Sequence, residues 1–511
     1  MGKEIAIIGA GPSGLTSIKA ALAEGLHPTA FEMSGGIGGV WGEAQHAAHQ
    51  QGTAWPGMKS NISRHTGAFS DFPWPSTTPD FPTTEQHYAY LSAYAKEFKL
   101  LPCIQFESKV IEIKPKDNQW LVRWQQKGSL ACQEKVFDAV IVASSKFAHP
   151  FIPQFKGLET VRHKMSHSAD YQDSKPFVGK KVLVVGNSFS GTAIAEELAP
   201  VAALTIHHFR QEHWCVKRYR SADLNQQGPW LPRDLLKTYT NSQTPKSPEE
   251  EVKFLQKHCQ EQQDFAEWQM TNASPMKFTI VEDYFKRCRE EKIIFAKGEI
   301  DHFTEKGVKL THGPFHEFDH VIFCTGYQRQ LPFLPEHLRH LPNPYEDTLL
   351  SPNLAVIGMY EGARGAVFPI VDLQARLACG VFSGRCPLPS EETLFKEIKE
   401  TPTKRDEIEF LNSLAKKIGI LPDIKAYDSG FRHTLLDGAH TPQRFNLTGP
   451  GSNPEGAKKA IEATEFYRRE LLDSQEKVPR LAKLCLFKIN SSAIKKEKQD
   501  EMEVRSPVNR Q

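Results

Sequence analysis

Residues 180–199 read KKVLVVGNSFSGTAIAEELA, an apolar run followed by Gly186 and Gly191, with Ser188 where a Gly-x-Gly-x-x-Gly turn would place a third glycine. The pattern predicts a buried strand, a tight turn and a helix. Two readings are open: a dinucleotide loop with one changed position, or an ordinary strand-to-helix turn. In the first, Gly186 makes the turn and Gly191 lets helix and strand pack. Ser188 then adds a Cβ that pushes the phosphates slightly outward, while its hydroxyl, or that of Ser190 beyond Asn187, offers a hydrogen bond in return.

The N-terminus repeats the design without the change. EIAIIGAGPSGLTSIKAALAEGLHPTAFE, residues 4–32, predicts a strand, then Gly9, Gly11, Pro12, Ser13 and Gly14 in the turn, then a helix and a second strand reaching Glu32. Gly9 makes the tight turn, Gly11 lets the backbone approach a pyrophosphate, and Gly14 lets helix and strand pack closely. The carboxylate of Glu32, 18 residues after Gly14, is placed to accept from free ribose hydroxyls, so this loop suits FAD or NAD. The strand after the second loop, LTIHHFR, ends instead on Arg210. A cation there suits a 2′-phosphate, as in NADPH, although a solvated surface arginine is the competing reading.

Composition limits the alternatives. A chain of 511 residues is long enough for two or three cores. Lys and Arg total 63 against 61 Asp and Glu, so no global field favours nucleic acid or anionic membranes, and small-molecule partners are expected. The nine cysteines include no Cys-x-x-Cys pair and no cluster at metal-ligand spacing, which suits a reducing, cytoplasmic setting without a metal site. Residues 2–8 lead directly into a strand, Ala6 breaks the N-myristoylation pattern, and no run of about 18 apolar residues spans a bilayer.

A chain with both loops has the plan of a flavoprotein holding two dinucleotides, FAD and NADPH. Without a redox cysteine pair, a disulfide reductase is excluded, which leaves oxygen or another small acceptor.

Several further stretches resemble the flavin-containing monooxygenases. MSGGIGGVWG, residues 33–42, is similar to the family's GGxW element, which the resemblance puts beside the flavin through Gly39, Val40 and Trp41. MKSNISRHTGAFSDFPWP, residues 58–75, resembles the segment carrying an active-site asparagine, here Asn61, whose alternative role is a turn-capping loop residue. VRHKMSHSADY, residues 161–171, stands where the family has FxGxxxHxxxY; His167 and Tyr171 fit, and Val161 and His163 replace Phe and Gly. VIFCTGY, residues 321–327, resembles the linker that returns to the flavin domain, and the resemblance makes Thr325 and Gly326 candidate cofactor-binding residues. Gln374, in DLQAR, is a candidate for the flavin edge, with a helix-surface glutamine as the alternative.

The resemblance implies an α/β fold of two doubly wound Rossmann-like domains, the NADPH domain inserted into a discontinuous FAD domain. Expected boundaries are 1–160 and 325–465 for FAD, 161–324 for NADPH with a helical insertion at about 215–275, and a charged tail at 466–511 without a stable membrane anchor. A homodimer is left open. The implied reaction is NADPH-dependent oxygenation of a soft amine nitrogen or a thioether or thiol sulfur by O2, through a flavin C4a-hydroperoxide. The alternatives are Baeyer-Villiger chemistry, uncoupled NADPH oxidation, or a flavin-bound sensor that does not turn over.

Overall fold

The computed structural model describes residues 2–42, 54–222, 229–243, 247–270, 277–339, 344–360, 365–388 and 406–474. Of the expected tail at 466–511, residues 466–473 instead continue the helix Pro454–Asp473, and the residues beyond 474 lie outside the described ones.

Two parallel sheets organise the chain. The first has the strand order Leu349–Ser351, Leu354–Val356, Ala139–Val142, Glu4–Ile8, His27–Phe31, Ile104–Gln105, parallel throughout except at the first pair. The second runs Ile293–Lys297, Leu204–Phe209, Lys181–Val185, His320–Phe323, Met165–His167, all parallel. Parallel sheets are covered on both faces, so their strands read as continuous apolar runs and their side chains divide with period two. Ile5 and Ile7 enter one core cluster while Ala6 and Ile8 enter another across the sheet. Val182 and Val184 separate from Leu183 and Val185 in the same way. The doubly wound α/β class follows from this pattern.

The chain passes between the sheets through two short segments, His149–Pro150 and Tyr327–Gln328, which pair antiparallel. His167 sits at this crossing: its Nε2 hydrogen bonds the Gly326 carbonyl at 3.0 Å and its Nδ1 accepts from the Ala169 N–H. The second arrangement requires an unprotonated Nδ1, and burial lowers the pKa of the ring accordingly.

Residues 215–275 are not wholly helical. Helices Pro248–His258 and Gln260–Gln263 are present, but an antiparallel hairpin, Tyr219–Ser221 with Trp230–Pro232, precedes them. Mixed charged and aromatic residues conceal the two three-residue strands in the sequence. The hairpin packs against the Asn61 loop, and that contact completes the site.

Candidate active site

The two glycine loops are built alike. Gly9 and Gly186 hold φ of 107° and 111°, a region that disfavours side chains. The Gly9 N–H bonds the Phe31 carbonyl at 2.8 Å, and the Gly186 N–H bonds the His208 carbonyl at 2.9 Å. A Cβ on Gly14 would lie 1.9 Å from the Gly9 carbonyl oxygen, and one on Gly191 would lie 1.6 Å from that of Gly186. Both helices that follow, Pro12–Ala23 and Phe189–Leu198, begin without a side-chain cap, so the free N–H groups of their first turns remain for a ligand.

Both helix starts open on one cavity of about 2100 Å³, lined by Gly11 and Ser13 at one end and by Ser188 and Phe189 at the other. A single-ligand site occupies about 300–1000 Å³, so this space suits two dinucleotides and a substrate.

The FAD end carries the expected groups. Glu32 is 6% exposed and lines the cavity, its carboxylate accepting from the Ala10 N–H at 2.7 Å and the Ser34 N–H at 2.8 Å. Pro12, Gly39, Val40 and Trp41 also line it, and Trp41 stacks on His87 with centroids 4.0 Å apart. The Gly38 N–H bonds the Ala10 carbonyl, which brings the GGxW turn onto the loop. A Cβ on Gly11 would stand 3.4 Å from the Gly39 Cα. Uncapped helix start, close glycine backbones and facing carboxylate together fit a flavin dinucleotide.

At the other end Ser188 lines the cavity, whereas Gly186, Asn187, Ser190 and Gly191 shape the turn from outside its wall. Asn187 Nδ2 donates to the Gln211 carbonyl at 2.6 Å and ties the loop to the next strand end. Arg210 lies away from the cavity wall, 70% exposed in its side chain and 3.8 Å from Glu299. That weak surface pair leaves the guanidinium available to a ligand at the strand tip without committing it to one.

Three other sequence candidates stand back from the cavity wall. Thr325 donates from its hydroxyl to the Phe151 carbonyl, and Gly326 accepts from His167 and from the Phe151 N–H, so both belong to the crossing. Gln374 is fully buried; its Oε1 accepts from the Gly358 N–H at 3.0 Å and its Nε2 donates to the Asp347 carbonyl at 2.7 Å. It is therefore not a helix-surface glutamine, and it reaches the cavity only through Gly358, which lines it.

Asn61 lines the cavity between the two ends. Its Oδ1 accepts from Arg218 Nη2 at 3.3 Å, an arrangement that leaves the amide N–H groups as donors. Arg218 also donates to the carbonyls of Ser60 at 2.8 Å and Lys59 at 3.2 Å, and pairs with Glu282 at 2.9 Å. Asp234 holds the next turn by accepting from the Ser63 N–H, the Ser63 hydroxyl and the Thr66 hydroxyl. Behind them Asp80 accepts from Tyr219 and Tyr467 and meets His65 at 3.2 Å. Burial works to raise the Asp80 pKa, but these hydrogen bonds outweigh it and hold the carboxyl below its usual range. Arg218, Asp234, Asp80, Tyr219 and Tyr467 escaped the sequence reading. Arg218 and Asn61 are 157 positions apart, and no local pattern links them.

The Ser-Asp-Phe-Pro stretch anchors this loop to the flavin domain. Ser70 donates its hydroxyl to Asp372 at 2.5 Å, Asp71 pairs with Lys19, and the Phe72 carbonyl accepts from Tyr90. The loop is thus held by three helices of the first unit on one side, Pro12–Ala23, Thr84–Glu97 and Val367–Ser383, and by the insertion of the second on the other.

Two uncapped dinucleotide loops facing one cavity, with a polar loop between them, define a flavoprotein that binds a second nucleotide. The chain matches the flavin-binding monooxygenase-like family over residues 2–492 and belongs to it. It is 33% identical to flavin-containing monooxygenase 3 of Homo sapiens, covering 95% of this chain and 96% of that protein. It is 31% identical to dimethylaniline monooxygenase [N-oxide-forming] 2 of Cavia porcellus, covering 90% and 91% respectively. An open crystal structure of cyclohexanone monooxygenase shares the fold at a TM-score of 0.62 and 18% identity, covering 83% of this chain and 98% of that one. The protein is an FAD- and NADPH-dependent monooxygenase. No described helix is long and apolar enough to cross a membrane, and the described residues contain no group of His, Cys, Asp and Glu that could hold a metal.

Proposed function

We propose that the enzyme transfers one oxygen atom from O2 to a soft nucleophilic nitrogen or sulfur of a small molecule, with Asn61 as the hydrogen-bonding group at the reacting oxygen. The observation that carries this reading is the Asn61 side chain on the cavity wall, its Oδ1 taken by Arg218 and its N–H groups left to donate. FAD, reduced by NADPH, supplies the oxygen activation when bound. The chain positions and shields that chemistry: the first loop and Glu32 hold the flavin nucleotide, the second loop holds NADPH, and the insertion closes over Asn61. The N-oxide-forming relative favours a nitrogen nucleophile as the first to try.

Asn61→Ala removes one aligned donor from a water-poor site, worth about 3 kcal/mol or roughly a hundredfold in rate. With dimethylaniline or a thioether as substrate, product formation should fall by about that factor while NADPH consumption continues and peroxide is released. Unchanged oxygenation in the variant would remove Asn61 from this role. If the wild-type enzyme released peroxide alone with every amine and thioether, an oxidase would replace the oxygenase.

The domain limits proposed are 1–160 with 325–465 for FAD and 161–324 for NADPH. A cytoplasmic location is also proposed, supported by the eight described cysteines being free thiols, and cell fractionation tests it.

A further inference from the structure

The insertion carries two arginines that oxygenation at Asn61 does not use. Arg220 pairs with Leu231 across the hairpin, and the Arg233 N–H bonds the Arg218 carbonyl at 2.9 Å one step further along. In that register Arg220 and Arg233 are diagonal neighbours on one face of the ribbon. Both line the cavity.

Neither guanidinium has a hydrogen-bond acceptor or an ion-pair partner among the described residues, and Arg220 Nε is buried without one. Arg220 lies over the Phe254 ring, 5.0 Å from its centroid. The two carboxylates that attract Arg233 are engaged elsewhere. Asp234 serves Ser63 and Thr66; Glu407 takes Lys237 at 2.9 Å and the Ala366 N–H at 2.7 Å. Glu251 attracts Arg220 without bonding to it. Burial, with the charge of Arg233 added, lowers the Arg220 pKa to about 10, and burial lowers that of Arg233 as well. Two half-buried like charges with unbonded donors on the cavity wall, attracted by Glu251, Asp234 and Glu407 but bonded to none of them, can take an anion between them, and the forked donors match a carboxylate.

We propose that Arg220 and Arg233 together receive a carboxylate carried by the substrate, so that the preferred substrates are soft nucleophiles with an acidic group at the far end. The proposal rests on the oxygenation reading of the same cavity and narrows its substrate class. The 2′-phosphate of NADPH is the other anion the cavity admits, and the experiment separates the two.

Calorimetry on the FAD-loaded enzyme with NADP+ compares hexanoate with hexanamide. Hexanoate should bind at least about tenfold tighter, and Arg220→Met with Arg233→Met should abolish the difference. In turnover, 3-(methylthio)propanoate should exceed its amide by a similar factor in kcat/KM, and the same double variant should bring that ratio close to one. Equal binding of hexanoate and hexanamide to the wild-type enzyme overturns the proposal, whether or not the variants fold. A variant that keeps the acid-to-amide ratio but loses its preference for NADPH over NADH also overturns it, since the arginines then hold the cofactor. Selective hexanoate binding without oxygenation of any substrate would sustain the anion site and refute the oxygenation reading instead.

Discussion

The two dinucleotide loops share a backbone and differ in what braces it. In the first, the Glu32 carboxylate reaches back to the Ala10 N–H from the cavity side, and the Gly38–Gly39 turn presses on Gly11. In the second, the support comes from beneath: His207 is fully buried, with Nε2 on the Gly186 carbonyl at 2.9 Å and Nδ1 against the Tyr284 hydroxyl at 2.5 Å. A carboxylate facing the ligand can exchange its backbone partners for ribose hydroxyls, whereas an imidazole under the strand answers to the fold alone. The first loop is therefore part of the binding surface, and the second is a rigid turn that presents one.

The harshest challenge to this likeness is valine at Gly14 or Gly191, where the Cβ alone collides with a carbonyl oxygen at 1.9 or 1.6 Å. No side-chain rearrangement relieves a backbone clash of that size. Gly14→Val should yield protein without flavin colour. Gly191→Val should retain FAD yet no longer bleach with NADPH under anaerobic conditions. Absorbance spectra with and without NADPH check both, and a Gly191→Val enzyme reduced at the wild-type rate would break the parallel.

Acid should load the bracing of the second loop. Burial lowers His207, His208 and His213 each to about 4, all three around that loop, and it lowers one histidine at the flavin end, His87 beside Trp41, to about 4 as well. An unfolded imidazole takes its proton near pH 6.5, so between there and pH 4 the unfolded state binds more protons and stability declines as pH falls. Each such histidine contributes about 1.4 kcal/mol per pH unit inside that window. Denaturant titrations from pH 7 to pH 4 should show this slope, reduced in His207→Gln by the share of one group. A slope identical to wild type would mean that His207 already carries its proton in the folded state.

Much of this was legible in the sequence because it is local. Glycine spacing, apolar strands and the residue at each strand tip lie within about thirty positions, and physical reading recovers such patterns. The support of Asn61 was not legible. Arg218, Asp234, Asp80 and Tyr467 come from separate parts of the chain, and each is an ordinary polar residue until the fold brings them together. Gln374 shows the same limit, since a buried glutamine bridging two loop backbones reads in sequence like an exposed one.

The smallest expected effect lies at Ser188, and its size tests what a glycine in such a loop is for. Ser188 has φ −80° and ψ −170°, nearly the −73° and −171° of Gly11, an extended backbone open to any residue. A Cβ at position 11 would stand 3.4 Å from the Gly39 Cα, an ordinary contact, so neither backbone conformation nor the surrounding protein demands glycine there, and the close approach of a pyrophosphate is the remaining reason for it. Ser188 makes no side-chain cap, so its hydroxyl is not committed to the helix it precedes. Ser188→Gly should change stability by only a few tenths of a kcal/mol and leave NADPH-dependent flavin reduction intact. Gly11→Ser, the reciprocal exchange, should weaken FAD retention, because its side chain would hold the pyrophosphate off the loop backbone. Flavin content and NADPH affinity measured on the pair decide the point: equal tolerance at both positions would show that the two loops hold their nucleotides at the same distance.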